Sequence, residues 1–277
     1  MTASLSTSIR RLPGAGRVLR ALGLGGVPAT GYFGAGWSLG TLLLLYWLET
    51  ILVTLVVSIL ILRHRRATRK GGHWSSDFSV TTTRGGRSTT RFRKATFLAG
   101  FLGVMIPFTA VHGLFVVVFA FLVFPQEIGP EARVSAEALA DGMTAIALFL
   151  LVSLLLDLVR IGERPFQWVE RMAQRAQGRM VVTHLTIIFG AGAMAFFEAS
   201  LGFLVVFVVL KSLLDLGGML PDREPQPKAS RAVKALGRRL PKKQGRSFSD
   251  EYEAEMATEL ARRSANEEVR PQPQVSS

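Results

Sequence analysis

The chain has 277 residues, no cysteine, 49% hydrophobic residues and a formal charge of +13, with a mean hydropathy of +0.32. The lack of cysteine excludes disulfides, thiolate metal sites and a cysteine nucleophile, and the lack of alternating ten-residue segments excludes a transmembrane β-barrel. The apolar residues sit in blocks of about 20, the length that crosses a hydrocarbon core of about 30 Å, so the expected class is all-α: a polytopic transmembrane helix bundle.

The basic residues lie in loops and tails beside those blocks. That is the pattern of membrane orientation and attraction to anionic lipid headgroups, and no nucleic-acid partner is expected. Residues 1–17 form a basic N-terminal segment with Arg10, Arg11 and Arg17. The glycine-rich stretch that follows argues against a cleaved signal peptide. The bundle is expected over residues 18–220. It begins with a weak segment, 18–34, interrupted by Pro28 and several glycines. Five strong spans follow at 37–62, 97–124, 143–159, 180–197 and 201–220, and only Glu198, Ala199 and Ser200 separate the last two. The loop "GGHWSSDFSVTTTRGGRSTTRFRK" reads as loosely folded at the membrane surface, with His73 and Trp74 interfacial or solvated.

Residues 221–277 form a basic tail. "KASRAVKALGRRLPKK" can make a short amphipathic helix suited to an anionic surface. A better helix is expected at 249–263, capped by Ser249, with acids in its first turn and Arg262 and Arg263 in its last. Phe248, Tyr252, Met256 and Leu260 recur every four residues, giving residues 248–263 an apolar stripe to dock on this chain or on a protein partner. The final "VRPQPQVSS" reads as disordered.

Loop charges set the orientation. Arginine-rich segments at 63–94 and 160–179 and the start of the tail belong on the cytoplasmic side, and the acidic loop at 125–141 and the turn at Glu198 outside. The expectation is a multi-pass cell-membrane protein with a cytoplasmic C-terminus. Six crossings with both termini inside are favoured, with five and an outside N-terminus as the alternative.

Ionisable residues within apolar spans are functional candidates, because each is costly there. Glu49, in "LLLLYWLET", is the only charged residue between Arg20 and Arg63. Tyr46, Thr50, Thr54 and Ser58 run beside it at helical spacing and mark an inward face. The expected partner of Glu49 is His112, which follows Pro107 and precedes Gly113, or Lys211. Asp157 and His184 should lie at similar depth and can pair. Lys211 and Asp215 share one face of the last span. The competing reading is a structural hydrogen bond between helices for Glu49 and His112, an interfacial hydrogen bond at the headgroup level for Asp157 and His184, and a neutralising pair within one helix for Lys211 and Asp215. The pattern "GAGAMA" inside the fourth span is read as small-residue packing and not as a dinucleotide fingerprint.

Four motifs in order, "GW…LLLLYWLET", "VHGLFV", "RMVVTHLTII" and "LKSLLDL", resemble an uncharacterised prokaryotic family of integral membrane proteins, domain of unknown function 6498. The resemblance covers roughly Tyr32 to Leu220. It implies a Trp-Glu pair in an early span, a His-Gly in the next, a basic residue leading to a histidine in a later span, and a Lys/Asp last span. It implies a fold and a topology, and no reaction.

Three functions remain open on these residues. The first is transport or ion and proton handling through Glu49, His112, His184, Lys211 and Asp215, with Asp157 and Tyr46 nearby. The second is an intramembrane metal-dependent enzyme using Glu49, His112 and His184. The third is a scaffold whose tail recruits partners. No particular cofactor is implied.

Overall fold

The computed structural model describes residues 18–20, 22–74, 76–84, 87–127, 129–130, 133–197, 230 and 247–270; for 76–94, 127, 182–184 and 186–197 it describes the main chain alone. Two compact units divide the chain.

The first unit is helical. Its N-terminal stretch winds as a π-helical turn, Leu22–Gly26, into α1, Val27–Ala35. Pro28 sits in the first turn of α1, where no backbone donor is needed. Gly36 ends α1 in the left-handed conformation at φ 66°, and the Trp37 amide closes back onto the Gly31 carbonyl at 3.0 Å. This stop throws the Trp37 ring onto Gly31, where a Cβ would overlap it. The chain reverses at once into α2, Leu39–Thr68.

The 30 residues of α2 span about 45 Å, more than a bilayer core. The helix α3, Phe97–Val118, runs on through a π-helical turn at Phe119–Val123 into Phe124–Glu127. Pro107 lies within α3. The next helix, α4, Ala136–Leu158, is capped by the Ser135 hydroxyl, which accepts from the Ala138 amide at 3.2 Å. Thr41 on α2 accepts the Ser135 amide at 2.9 Å, joining the cap of α4 to the first turn of α2. The helix α5, Phe166–Phe197, is a continuous 32 residues.

Among the described residues three helices are long and apolar enough to cross a membrane: Leu39–Thr68, Phe97–Gln126 and Ala136–Leu158. They carry three of the five strong spans. The fourth falls within α5, and the fifth, 201–220, lies outside the described residues. Large apolar side chains are exposed along these helices, among them Leu55, Ile106, Leu114, Leu122, Leu148 and Leu155. Between the helices, Leu43 and Leu44 pack with Val116 and Phe124, flanked by Trp47, Leu48 and Leu139. Leu42 and Tyr46 pack against Tyr32 and Trp37.

Helix limits differ from the expected spans where polar residues continue the helix. The helix α2 extends through "RHRRAT" to Thr68, and α4 starts at Ala136, about two turns before the apolar run. Arginines are good helix formers, and a Ser cap with Glu137 behind it begins a helix whatever its hydropathy. For the same reason the expected loop 160–179 contains the first four turns of α5.

The second unit gathers 68–97, 165–167 and the C-terminal segment. It corrects the all-α expectation, because β1, Ser76–Arg84, pairs antiparallel with β2, Arg87–Ala95. The strands are rich in β-branched threonine and valine, and "GG" stands between the paired Arg84 and Arg87, a favoured two-residue hairpin connection. Gly71–Trp74 form a 3-10 turn that buries His73, expected to be interfacial or solvated. The His73 ring meets Phe166 edge-on at 5.0 Å and Trp74 at 6.0 Å. Gly72 makes room for Phe166, whose ring a Cβ there would overlap.

The C-terminal helix, α6, is Phe248–Glu267. Its cap is Ser247 and not Ser249. Asp250 stands three residues after Ser247 and completes a reciprocal capping box, whereas Tyr252, three after Ser249, cannot return the bond. Of the end "VRPQPQVSS", expected to be disordered, Val269 and Arg270 are described and held by the chain, and residues 271–277 lie outside the described residues. Val269 bridges to Lys70, the Gly71 amide donates to the Glu268 carbonyl at 2.7 Å, and the Arg270 amide donates to the Arg69 carbonyl at 3.1 Å. Glu267 binds Lys70 at 2.5 Å through one carboxylate oxygen and accepts the Gln167 amide at 3.2 Å through the other.

Candidate functional site

The buried polar residues of the first unit centre on the middle of α2. Glu49 shares the buried face with Leu42, Tyr46, Val56 and Leu60, which fall at the helical period around it. Its carboxylate accepts a hydrogen bond from the Arg179 guanidinium of α5 at 2.6 Å. The Glu49 side chain is 6% exposed and that of Arg179 24%. A short charge-assisted bond of this kind is strong. The desolvation cost makes a buried pair a weak source of net stability, but it makes removing one partner expensive.

Two residues earlier, Trp47 faces α3. Its indole N–H donates to the Thr109 carbonyl at 3.0 Å. The ring reaches the α3 backbone because residue 113 is glycine, and a Cβ there would overlap the indole. His112, next in the chain, is buried. Thus "YWLET" on α2 meets "VHGLFV" through Trp47 and Gly113, and meets "RMVVTHLTII" through Glu49 and Arg179.

A second ion pair joins the N-terminal segment to α4. The Arg20 guanidinium donates to the Asp157 carboxylate at 2.5 Å, and the Asp157 side chain is 8% exposed. Asp157 extends the buried face of α4 formed by Ile146, Leu150 and Ser153. Gly23 packs on Phe149 without room for a Cβ, so the N-terminal segment lies close to α4. Near the far end of α2, His64 is fully buried, with its Nε2 3.0 Å from the Arg164 carbonyl. The Arg164 guanidinium stacks over Trp168.

Of the candidates from the sequence, Tyr46, Glu49, His112 and Asp157 are buried on described helices. His184 lies in α5 among residues whose main chain alone is described, and Lys211 and Asp215 lie outside the described residues. Glu49, expected to meet His112 or Lys211, is paired with Arg179. Asp157, which the sequence allows to pair with His184, bonds to Arg20, and the His184 side chain lies outside those described. Three hydroxyls of the stripe bond within their own helix: Thr50, Thr54 and Ser58 donate to the carbonyls of Tyr46, Thr50 and Thr54 at 3.0, 2.7 and 2.7 Å. Such back-bonding satisfies a hydroxyl within its own helix.

Arg20, Arg179 and His64 are the site residues that sequence reasoning missed. Arg179 carries a signal in the sequence, since it heads the motif "RMVVTHLTII", but its place at the end of the arginine-rich 160–179 segment reads as loop charge. Among the described residues no three His, Asp or Glu side chains come together as a metal-ligand set, and the His184 side chain is not among them.

No curated protein and no solved structure matches the chain. A family model described as a family of unknown function (DUF6498) matches residues 17–232, a stretch that holds both ion pairs and the Trp47–Gly113 contact. The match spans more than half of the chain, which therefore belongs to the family of unknown function DUF6498.

Proposed function

We propose that this chain is a multi-pass membrane protein that handles an ion or a proton through the exchangeable charge pair of Glu49 and Arg179. The observation that carries the reading is a carboxylate buried at the eleventh residue of a long apolar helix and held by a guanidinium that is one quarter exposed. A charge deep in an apolar span is costly and is kept where it does work or holds a partner. A cation or proton that reaches Glu49 must displace Arg179, and its arrival therefore loosens α5 from α2. Arg20 and Asp157 make a second such pair between the N-terminal segment and α4.

The contacts within the second unit support the topology. Lys70 precedes α3, Gln167 opens α5, and Glu267 in the tail bonds to both. Segments that touch one another lie on one side of a membrane, so an even number of crossings must separate them. The helices α3 and α4 supply one such pair. Between Gln167 and Glu267 lie α5 and the expected span 201–220, which is outside the described residues; an even number of crossings there keeps 63–94, 160–167 and the tail together on the cytoplasmic side. The arginine asymmetry assigns the same three segments to that side. Large exposed apolar residues on α2, α3 and α4 fit lipid contact.

Proteoliposomes carrying a lumenal pH-sensitive dye test the activity. An imposed proton or potassium gradient should collapse faster with the wild-type chain than with empty vesicles, and Glu49→Gln should remove the difference. Equal dissipation by wild type and by a folded, inserted Glu49→Gln chain would refute the role of this pair.

A further inference from the structure

The hairpin of the second unit separates charge by strand register. Phe78 pairs with Arg93, Val80 with Arg91, Thr82 with Thr89 and Arg84 with Arg87. Alternate positions of a strand lie on one face, and directly paired residues share that face. One face of the hairpin therefore carries Arg84, Arg87, Arg91 and Arg93 with Phe78 and Val80, and no acid. The opposite face sets Asp77 against Lys94 and is otherwise Ser79, Thr81, Thr83, Ser88, Thr90 and Phe92. Four of the five basic residues of the two strands thus share a face, and the fifth stands opposite the only acid. Arg84 and Arg87 are direct cross-strand partners, an arrangement that is unfavourable unless an external anion offsets it.

We propose that this arginine face is a docking surface for anionic phospholipid headgroups. The inference rests on the membrane reading above. The strands are inserted between α2 and α3, two helices of membrane-crossing length, and only Thr96 separates β2 from α3. Arg93 stands four residues before Phe97, so no more than about 13 Å of extended chain separates it from the first residue of α3, at the end of an apolar span. Headgroups lie there, in a zone several ångströms deep on each side. Phe78 and Val80 on the same face suit an interface with apolar depth below the phosphates, which a nucleic-acid backbone does not offer.

The full chain in nanodiscs tests this, with discs of phosphatidylcholine alone and discs containing increasing phosphatidylglycerol. Hydrogen exchange of the strand amides 76–84 and 87–95 should slow as phosphatidylglycerol rises. Arg91→Gln should raise the phosphatidylglycerol fraction needed by about fivefold, the equivalent of ~1 kcal/mol per basic residue at a surface. Changing all four arginines to glutamine should abolish the dependence, and Lys94→Gln, on the other face, should leave it in place. If the fourfold variant fails to fold, the single Arg91→Gln and Lys94→Gln variants decide the matter alone. Equal exchange in both discs, equal losses for Arg91→Gln and Lys94→Gln, or protection by an added oligonucleotide in phosphatidylcholine discs without protection by phosphatidylglycerol would each overturn the proposal. A chain that stays out of both kinds of disc would refute the membrane reading on which it rests, whereas one that inserts but ignores phosphatidylglycerol refutes the docking face alone.

Discussion

Cutting the Glu49–Arg179 pair one partner at a time should cost unequal amounts. Removing one member of a buried pair typically costs about 3–5 kcal/mol, because the other charge is stranded. Here the two survivors differ in their access to solvent. Arg179→Met leaves a carboxylate that is 6% exposed, whereas Glu49→Gln leaves a guanidinium that is 24% exposed on a long stem able to turn towards water. Arg179→Met should therefore fall near the upper end, about 4–5 kcal/mol, and Glu49→Gln near or below about 3 kcal/mol. The double variant strands neither charge, so its cost should fall below the sum of the singles by at least ~2 kcal/mol, a coupling in the range for residues in direct contact. Reversible unfolding of the four proteins in one detergent, followed by steric trapping, measures all three quantities. Additive single effects would refute the reasoning, since additivity means that the two charges do not act on each other. The reverse order, with Glu49→Gln the more damaging, would refute the solvent-access argument while leaving the pair intact.

Further outcomes follow from particular contacts. Gly113→Ala should push the Trp47 indole from α3 and destabilise the first unit by about 1–3 kcal/mol, the usual cost of overpacking, with a shift in tryptophan emission as the second readout. Glu267→Ala should speed hydrogen exchange at the Gly71 and Gln167 amides, because that carboxylate holds Lys70 and accepts the Gln167 amide; unchanged exchange at both would show that the tail does not secure this junction. Glu259 accepts from Arg262 and Arg263, and these bonds lower its pKa from 4.5 to about 2. The folded value lies below the unfolded one, so the stabilisation is present above pH 4.5 and fades as pH falls towards 2. At this partly exposed position it should amount to about 0.3–0.5 kcal/mol per pair. An NMR titration of Glu259 in the full chain should give the low midpoint, and Arg262→Gln with Arg263→Gln should restore an ordinary one.

The run "LLLLYWLETILV" told where an apolar helix lies and that Glu49 interrupts it, since hydropathy and helical period are properties of neighbouring residues along one chain. The same holds for α3 and for the apolar core of α4. Helix ends were less legible, because caps and arginine-rich turns extend α2, α4 and α5 beyond their apolar stretches. The hairpin reads as a loop in the sequence because a threonine-rich strand alternates weakly in hydropathy, and its pairing depends on a partner strand. Tertiary structure alone decided the partners of Glu49 and Asp157. Arg179 and Arg20 stand at the polar margins of their segments, where charge counting assigns them to loops. A guanidinium reaches several ångströms inward from such a position, and which helix it meets depends on neighbours more than 100 residues away in sequence. The contacts that tie Val269 and Glu267 to Lys70 and Gln167 are of the same kind: backbone and carboxylate bonds between segments that share no pattern, brought together only because the helices between them return the chain to one place.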